Sequence, residues 1–133
     1  MSEVQGILIS HGLLAEGLID AVAEITGSRE GLVPLDNRGL TPEALESRLA
    51  ELAGESPSLV FVDLPSGSCA FAARRLRRRH PQLAIVCGVN LPLLLDFTFH
   101  RTLPLVEIVE RLRSRVGVSI EHASDADSSV PGR

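Results

Sequence analysis

The sequence predicts an α/β domain, a small, doubly wound and mostly parallel four-stranded sheet with helices on both faces. The first observation is that four aliphatic runs alternate with helical patterns, which implies parallel pairing through helical crossovers. The second is the length of 133 residues, which fits one domain with a real core. The third is a hydrophobic fraction of 44%, typical of a globular protein.

The first strand is predicted at residues 4–9, an uninterrupted stretch that is mostly aliphatic. A helix follows, because the next apolar residues recur at helical spacing on one face: Leu14, Leu18, Val22 and Ile25. Gly27 is a common helix stop. The short run 31–35 predicts the second strand.

The second helix is predicted to start at Thr41 and Pro42, a capping hydroxyl followed by a proline suited to the first helical position. Its inward face carries three leucines, Leu45, Leu49 and Leu52. Gly54 ends it. Residues 59–62 predict the third strand and residues 68–79 the third helix.

His80 and Pro81 interrupt that helix, and residues 84–87 predict the fourth strand. A short helix then begins at Asn90, which is expected to cap it. The last helix is marked by apolar residues at helical spacing: Leu105, Ile108, Val109, Leu112 and Val116.

The C-terminal segment 118–121 reads VSIE, which alternates but is too polar for a central strand. Two placements are open: an edge strand of this chain's own sheet, or a strand added to the sheet of a second copy in a homodimer. From Ala123 the composition is that of a disordered tail. We therefore expect one domain over residues 1–122 and a tail over 123–133.

Composition excludes several classes of function. The net charge of −4 and an aromatic content of 3%, all phenylalanine, argue against nucleic-acid binding. No apolar run approaches the roughly 20 residues needed to cross a bilayer, and the N-terminus lacks a signal-peptide pattern. Cys69 and Cys87 lack metal-ligand spacing and are expected to be reduced thiols. We therefore expect a cytoplasmic protein without membrane insertion.

Three polar stretches follow predicted strands: SHG at 10–12, VDLPSGSC at 62–69 and CGVNLP at 87–92. In open parallel sheets, functional groups gather at the carboxyl ends of strands. Taken singly each stretch is weak evidence, since a histidine at a strand end is more often structural than catalytic. Together they predict a site.

The residue types in these stretches suit a phosphorylated imidazole. If Asp63 holds the ring of His11, the other ring nitrogen is a nucleophile in a fixed tautomer. Ser66, Gly67 and Ser68 precede a helix, whose first amides point at any anion placed there. No metal and no cofactor are required by that arrangement.

The segments ILISHGLLAEGLIDAVAEITG, VDLPSGS and GVNLPLLLD together resemble the IIA domain of the mannose-type bacterial phosphotransferase system, over roughly residues 4–116. The resemblance implies that the chain accepts a phosphoryl group from the carrier protein HPr and passes it to a histidine of a IIB protein or domain for sugar uptake. It also implies a homodimer with an exchanged C-terminal strand.

By the same resemblance, His11 falls on the phosphorylated histidine, and Asp63 on the aspartate that hydrogen-bonds its near nitrogen. Ser68 falls on the serine that contacts the phosphoryl group. Family members usually read GGSP where this chain reads SGSC, so Ser66 replaces a glycine and Cys69 a proline. Cys69 has two interpretations: a redox-sensitive thiol with a pKa lowered at a helix N-terminus, or, as we favour, a small buried filler.

Alternatives remain open at this stage. The run RRLRRRH at 74–80 is interpreted as a solvated helix face rather than a docking surface, and we expect no chemical role for His100 or His122. The leading functional rival is a regulatory module whose phosphorylation state is sensed by a partner protein. Two others are a phosphotransfer domain serving dihydroxyacetone phosphorylation, against which GVNLP argues, and a degenerate relative that accepts no phosphate.

Overall fold

The computed structural model describes residues 3–124. Within these residues the structure has four strands and five helices: β1 Gln5–Ser10, α1 Leu14–Thr26, β2 Leu32–Asp36, α2 Pro42–Ala53, β3 Ser58–Val62, α3 Ser68–Arg77, β4 Leu83–Cys87, α4 Leu91–Thr98 and α5 Leu105–Arg113. The predicted α/β class is therefore confirmed.

The strands form one parallel sheet in the order β2-β1-β3-β4. The chain winds from β1 outward to β2 and then returns past β1 to β3, so the strand order reverses between β1 and β3. In this kind of sheet the crevice for ligands opens at that reversal, outside the carboxyl ends of the two strands. The register places Ile9 of β1 opposite Val62 of β3, so both strands end at the same level.

Each face of the sheet packs against its own set of helices. On one face, α2 and α3 cover the sheet, and the buried side chains include Ile7, Leu45, Leu49, Val60 and Leu76. On the other face, α1, α4 and α5 contribute a second cluster that includes Leu8, Ile19, Phe61, Phe97 and Ile108. The alternation of neighbours such as Ile7 and Leu8 between the two faces is the period of a strand, and burial on both faces explains the continuous aliphatic runs.

The predicted caps are confirmed. The Thr41 hydroxyl accepts a hydrogen bond from the Ala44 amide at 3.1 Å, and the Asn90 side-chain oxygen accepts one from the Leu93 amide at 3.0 Å. Gly27 ends α1 in the left-handed conformation with φ 84°. The starts of α2 and α4 and the end of α1 lie where the sequence predicted them, because capping depends on local chemistry.

Some predicted boundaries are wrong. The third helix ends at Arg77 rather than Arg79, and the last helix ends at Arg113, before Val116. Residues 118–121 belong to no strand of the described chain, so the segment is not an edge strand of this chain's own sheet. Pairing with a second copy stays a prediction, and the predicted tail lies outside the described residues beyond Ser124. Among residues 3–124, no helix combines the length and apolar character needed to span a bilayer.

Candidate functional site

His11 and Asp63 lie side by side in the crevice of the sheet. His11 is the first residue after β1 and Asp63 the first after β3, and these two strands are neighbours. Both residues therefore leave the sheet at the reversal of strand order. The structure thus brings together the two side chains that the sequence predicted to meet.

One carboxylate oxygen fixes both the ring and the main chain of His11. Asp63 Oδ2 lies 2.8 Å from His11 Nδ1 and accepts a second hydrogen bond, at 2.9 Å, from the His11 amide. The other oxygen, Oδ1, accepts one from the Leu64 amide at 3.0 Å. The His11 side chain is 48% exposed and that of Asp63 only 9%, so the carboxylate supports the ring from beneath while the ring faces solvent.

The balance of forces keeps Asp63 ionised. Burial would raise the pKa of its carboxyl, but hydrogen bonds from the amide and ring of His11 outweigh that effect and the pKa is lowered below its ordinary value. A carboxylate can only accept hydrogen bonds, so His11 Nδ1 must carry the proton. In the neutral ring, a proton on Nδ1 leaves the lone pair of Nε2 free, which is the state a nucleophile needs.

The N-terminus of α3 opens beside the ring. Gly67 precedes the helix with φ 95° and ψ −176°, a conformation essentially restricted to glycine, and a Cβ built there would lie 4.0 Å from His11 Cε1. No side chain of the described residues caps this helix. Its first amides can therefore bind an anion placed near His11, and the helix dipole favours negative charge there.

The predicted phosphoryl-binding residues lie along this turn. Ser68 is the first residue of α3 and half-buried, whereas Ser66 is exposed on the loop that precedes Gly67. The side chain of Asn90 caps α4 and does not join the His11–Asp63 site.

Ser10 is a contributor that the sequence analysis missed. Its hydroxyl, buried in the fold, accepts a hydrogen bond from the Ala15 amide at 2.9 Å. Gly12 adopts φ 59°, so the chain turns sharply between Ser10 and α1. These two residues hold the loop that carries His11. The SHG motif itself was the available signal, since a small polar residue and a glycine flank the histidine.

Cys69 lies in the core beneath the site. Burial and the negative charge of Asp63 raise the pKa of its thiol to about 11, so the interpretation as a low-pKa redox thiol is wrong. The favoured interpretation as a buried side chain is confirmed. Its position also matters chemically, because ligand atoms of Cys69, Asp63 and His11 all lie within 4.8 Å of one another.

The arginine run ties α3 to α2. Glu46 on α2 accepts hydrogen bonds from Arg75 Nε at 2.8 Å and from Arg79 Nη2 at 2.9 Å. His80 places Nε2 3.0 Å from the carbonyl oxygen of Gly54. Three members of the run therefore hold the fold together. His100, also outside the crevice, contacts the carbonyl oxygen of Asp96.

The chain is similar in sequence to known proteins. The family described as the PTS (phosphotransferase system) fructose IIA component, EIIA-man, matches residues 6–112. The sorbose-specific EIIA component from Klebsiella pneumoniae is 31% identical over 116 residues, covering 84% of this chain and 85% of that protein.

Solved structures share the fold. The mannose/sorbose-specific IIA subunit from Enterococcus faecalis superposes with a TM-score of 0.74 at 25% identity, covering 91% of this chain and 98% of that one. The EIIA component from Streptococcus agalactiae, 20% identical, gives 0.73 with coverage of 86% and 96%. The chain therefore belongs to the EIIA-man family, the IIA phosphotransferase components of sugar-transport systems.

Proposed function

We propose that this chain is a cytoplasmic phosphocarrier that accepts a phosphoryl group from HPr on His11 and passes it to a histidine of a IIB protein. The observation that carries the proposal is the His11–Asp63 hydrogen bond of 2.8 Å, placed beside the open N-terminus of α3. One crevice then holds the nucleophile, the group that supports its positive charge and the site for the phosphoryl oxygens.

The geometry suits an in-line transfer. His11 Nε2 attacks the phosphorus of the donor's phosphohistidine, a new N–P bond forms, and the bond to the donor nitrogen breaks with its electron pair returning to the donor ring. Asp63 accepts the hydrogen bond from Nδ1–H throughout and supports the positive charge that develops on the His11 ring. The amides of α3 stabilise the equatorial phosphoryl oxygens, with the Ser68 hydroxyl beside them. Transfer to IIB is the same reaction in reverse.

The surface around His11 suits protein partners. Leu13, two residues after the histidine, is 63% exposed, and Leu64, next to Asp63, is 53% exposed. Apolar side chains exposed near a reactive group are typical of a surface that a partner covers. Since both HPr and IIB must present a histidine to the same Nε2, they dock at this surface in turn.

The relay is tested with three purified proteins. Phosphorylated HPr, freed of enzyme I and phosphoenolpyruvate, is mixed with a IIB protein in the presence or absence of this chain. The proposal predicts phosphate on IIB only when the chain is present. Phosphate that reaches the chain and stays there with every IIB of the source organism would favour the regulatory alternative, and a chain that remains unmodified would exclude both.

We also propose that the chain forms a homodimer through its C-terminal segment. Strand β4 is an edge of the sheet, and beside it lies a groove of about 210 Å³. Its lining includes Ile85 of β4, Leu93 of α4 and Val116, which follows α5. Val118 and Ile120 are 79% and 85% exposed in the single chain. An unpaired strand edge and an exposed alternating segment can cover each other between two copies.

A further inference from the structure

A thiol lies beneath the His11–Asp63 pair, where phosphoryl transfer has no use for it. An imidazole nitrogen, a carboxylate oxygen and the sulphur of Cys69 all lie within 4.8 Å of one another. We propose that His11, Asp63 and Cys69 form a binding site for Zn²⁺, and that the bound metal prevents phosphorylation of His11. The coordination stands on its own, whereas the inhibition rests on the proposed phosphocarrier function.

The donor set selects the class of metal. One nitrogen, one oxygen and one sulphur are the ligand types that Zn²⁺ takes in proteins, and three protein ligands leave a fourth position open. Hard cations such as Mg²⁺ and Ca²⁺ prefer oxygen alone, so a thiol in the set disfavours them.

The spacing requires only a small adjustment. Bonds of about 2.0–2.3 Å at tetrahedral angles hold ligand atoms about 3.3–3.8 Å apart. The upper limit of 4.8 Å in the structure is therefore within about 1 Å of a closed site. The ring of His11 is half-exposed and can move, while Asp63 and Cys69 are held in the fold. The metal enters from the side of His11, because the sulphur is closed off from solvent.

The charges at the site also favour a divalent cation. A cation held between the Asp63 carboxylate and the Cys69 sulphur stabilises the anionic form of both groups. The thiol proton passes to solvent on coordination, so the thiolate and the carboxylate together neutralise Zn²⁺.

Coordination of the metal by either ring nitrogen of His11 leaves the ring unable to act as the nucleophile. If Nδ1 binds the metal, it gives up its hydrogen bond to Asp63 and the ring proton must lie on Nε2. If Nε2 binds the metal, its lone pair is used directly. In both cases no free Nε2 lone pair remains for phosphorus. Metal and phosphoryl group are therefore mutually exclusive at His11.

Co²⁺ is the probe for the coordination, because a bond from cobalt to a thiolate produces a charge-transfer absorption that Zn²⁺ lacks. Wild type, Cys69→Ala and the matched control Cys87→Ser are titrated with Co²⁺, after thermal unfolding has shown that all three fold. The site predicts the absorption in wild type and in Cys87→Ser, its loss in Cys69→Ala, and displacement by Zn²⁺. The affinity of Cys69→Ala should fall by at least about tenfold. Absorption that survives in Cys69→Ala, or its absence from wild type, would overturn the site.

Inhibition is measured as the phosphorylated fraction with Zn²⁺ divided by that without, for each protein separately. Wild type and Cys87→Ser should lose most of their phosphorylation, while Cys69→Ala keeps its own level, which also controls for effects of Zn²⁺ on the donor proteins. Equal inhibition of wild type, Cys87→Ser and Cys69→Ala by Zn²⁺ would refute the proposal that the bound metal prevents phosphorylation. A Co²⁺–thiolate signal in a chain that is never phosphorylated would refute the proposed function and leave the metal site standing.

Discussion

Asp63 is the residue that holds both the ring and the main chain of His11. Its two oxygens accept three hydrogen bonds, two of them from His11. The carboxylate thereby fixes both the position of the ring and its tautomer. Replacing Asp63 with a neutral side chain of the same shape therefore tests the effect of the negative charge while the size of the side chain is kept.

Replacing Asp63 with asparagine should slow phosphoryl acceptance strongly. The variant keeps the size of the side chain but loses the negative charge, and its amide group must face a donor at one of the three contacts. A hydrogen bond to a charged group contributes about 1.5–3 kcal/mol, which corresponds to roughly 10–100-fold in rate. Rapid-quench measurement of the phosphorylated chain gives the rate. A rate equal to that of wild type would show that Asp63 does not support His11.

Gly67 should not tolerate a side chain. Alanine at φ 95° and ψ −176° is strained by about 1–3 kcal/mol, so Gly67→Ala should lower the free energy of unfolding by that amount. The matched control is Gly17→Ala in the first turn of α1, where a Cβ meets no atom within 4 Å. This variant should gain up to about 0.5–1 kcal/mol. Urea denaturation measures both. Equal stability of Gly67→Ala and wild type would contradict the role given to this turn.

Part of the arrangement of the site could be predicted from the sequence. His11 and Asp63 each follow an aliphatic run directly, and parallel strands bring such positions to one edge of the sheet. The approach of Cys69 to Asp63 could not be predicted. It depends on the loop through Gly67, whose backbone turns the first residues of α3 back beneath the histidine.

Among the elements, the pairing of α2 with α3 has an electrostatic component. Glu46 is nearly buried and receives Arg75 and Arg79, whose own side chains are half-exposed. Hydrogen bonding by Arg79, opposed by burial and reinforced by Arg75, lowers the pKa of Glu46 below its ordinary value of 4.5. Since the folded pKa is the lower one, the pair stabilises the fold above pH 4.5 and loses its effect as pH falls through the folded pKa.

The variant Glu46→Gln should therefore be less stable than wild type at neutral pH, by about 1 kcal/mol because the arginines are screened by solvent. The difference in unfolding free energy should stay constant above about pH 5.5 and shrink below pH 4.5. Arg75→Gln should lose a similar amount, whereas Arg77→Gln on the same helix should not, since Arg77 has no ion-pair partner in the described part of the chain. A difference that grows in acid would contradict the assignment.

Capped helix starts and the glycine-marked ends of α1 and α2 were predictable in this chain, whereas the ends of α3 and α5 were not. Starts are marked by side chains that bond the first amides, as at Thr41 and Asn90. The ends of α3 and α5 fall inside runs of good helix formers, where the last turn tightens instead. The amides of Arg79 and Arg115 donate to the carbonyl oxygens of Leu76 and Leu112, three residues back rather than four.

At the scale of the whole molecule, the sheet order β2-β1-β3-β4 decides where the site lies. The alternation of strands and helices predicts parallel pairing, but it leaves the order open, because each crossover can run to either side. The order matters since it makes β1 and β3 neighbours at the reversal and leaves β4 as an edge.

That edge leads to the prediction of a dimer. Sedimentation should give a mass of twice the 14.3 kDa chain. Truncation after Arg115 removes the exposed segment and should give a monomer, as should Ile120→Glu, which places a charge on a side chain that is 85% exposed in the single chain. A full-length chain that sediments as a monomer would rule out the dimer.

In the proposed phosphocarrier, His11 alone carries the phosphoryl group. The most direct measurement is the intact mass of the chain after incubation with phosphoenolpyruvate, enzyme I and HPr, kept away from acid because phosphohistidine is labile. We predict one phosphoryl adduct on wild type, the same adduct on the control His100→Gln, and none on His11→Ala. An adduct that persists on His11→Ala, or a wild-type chain that stays unmodified with its own organism's donors, would contradict the account.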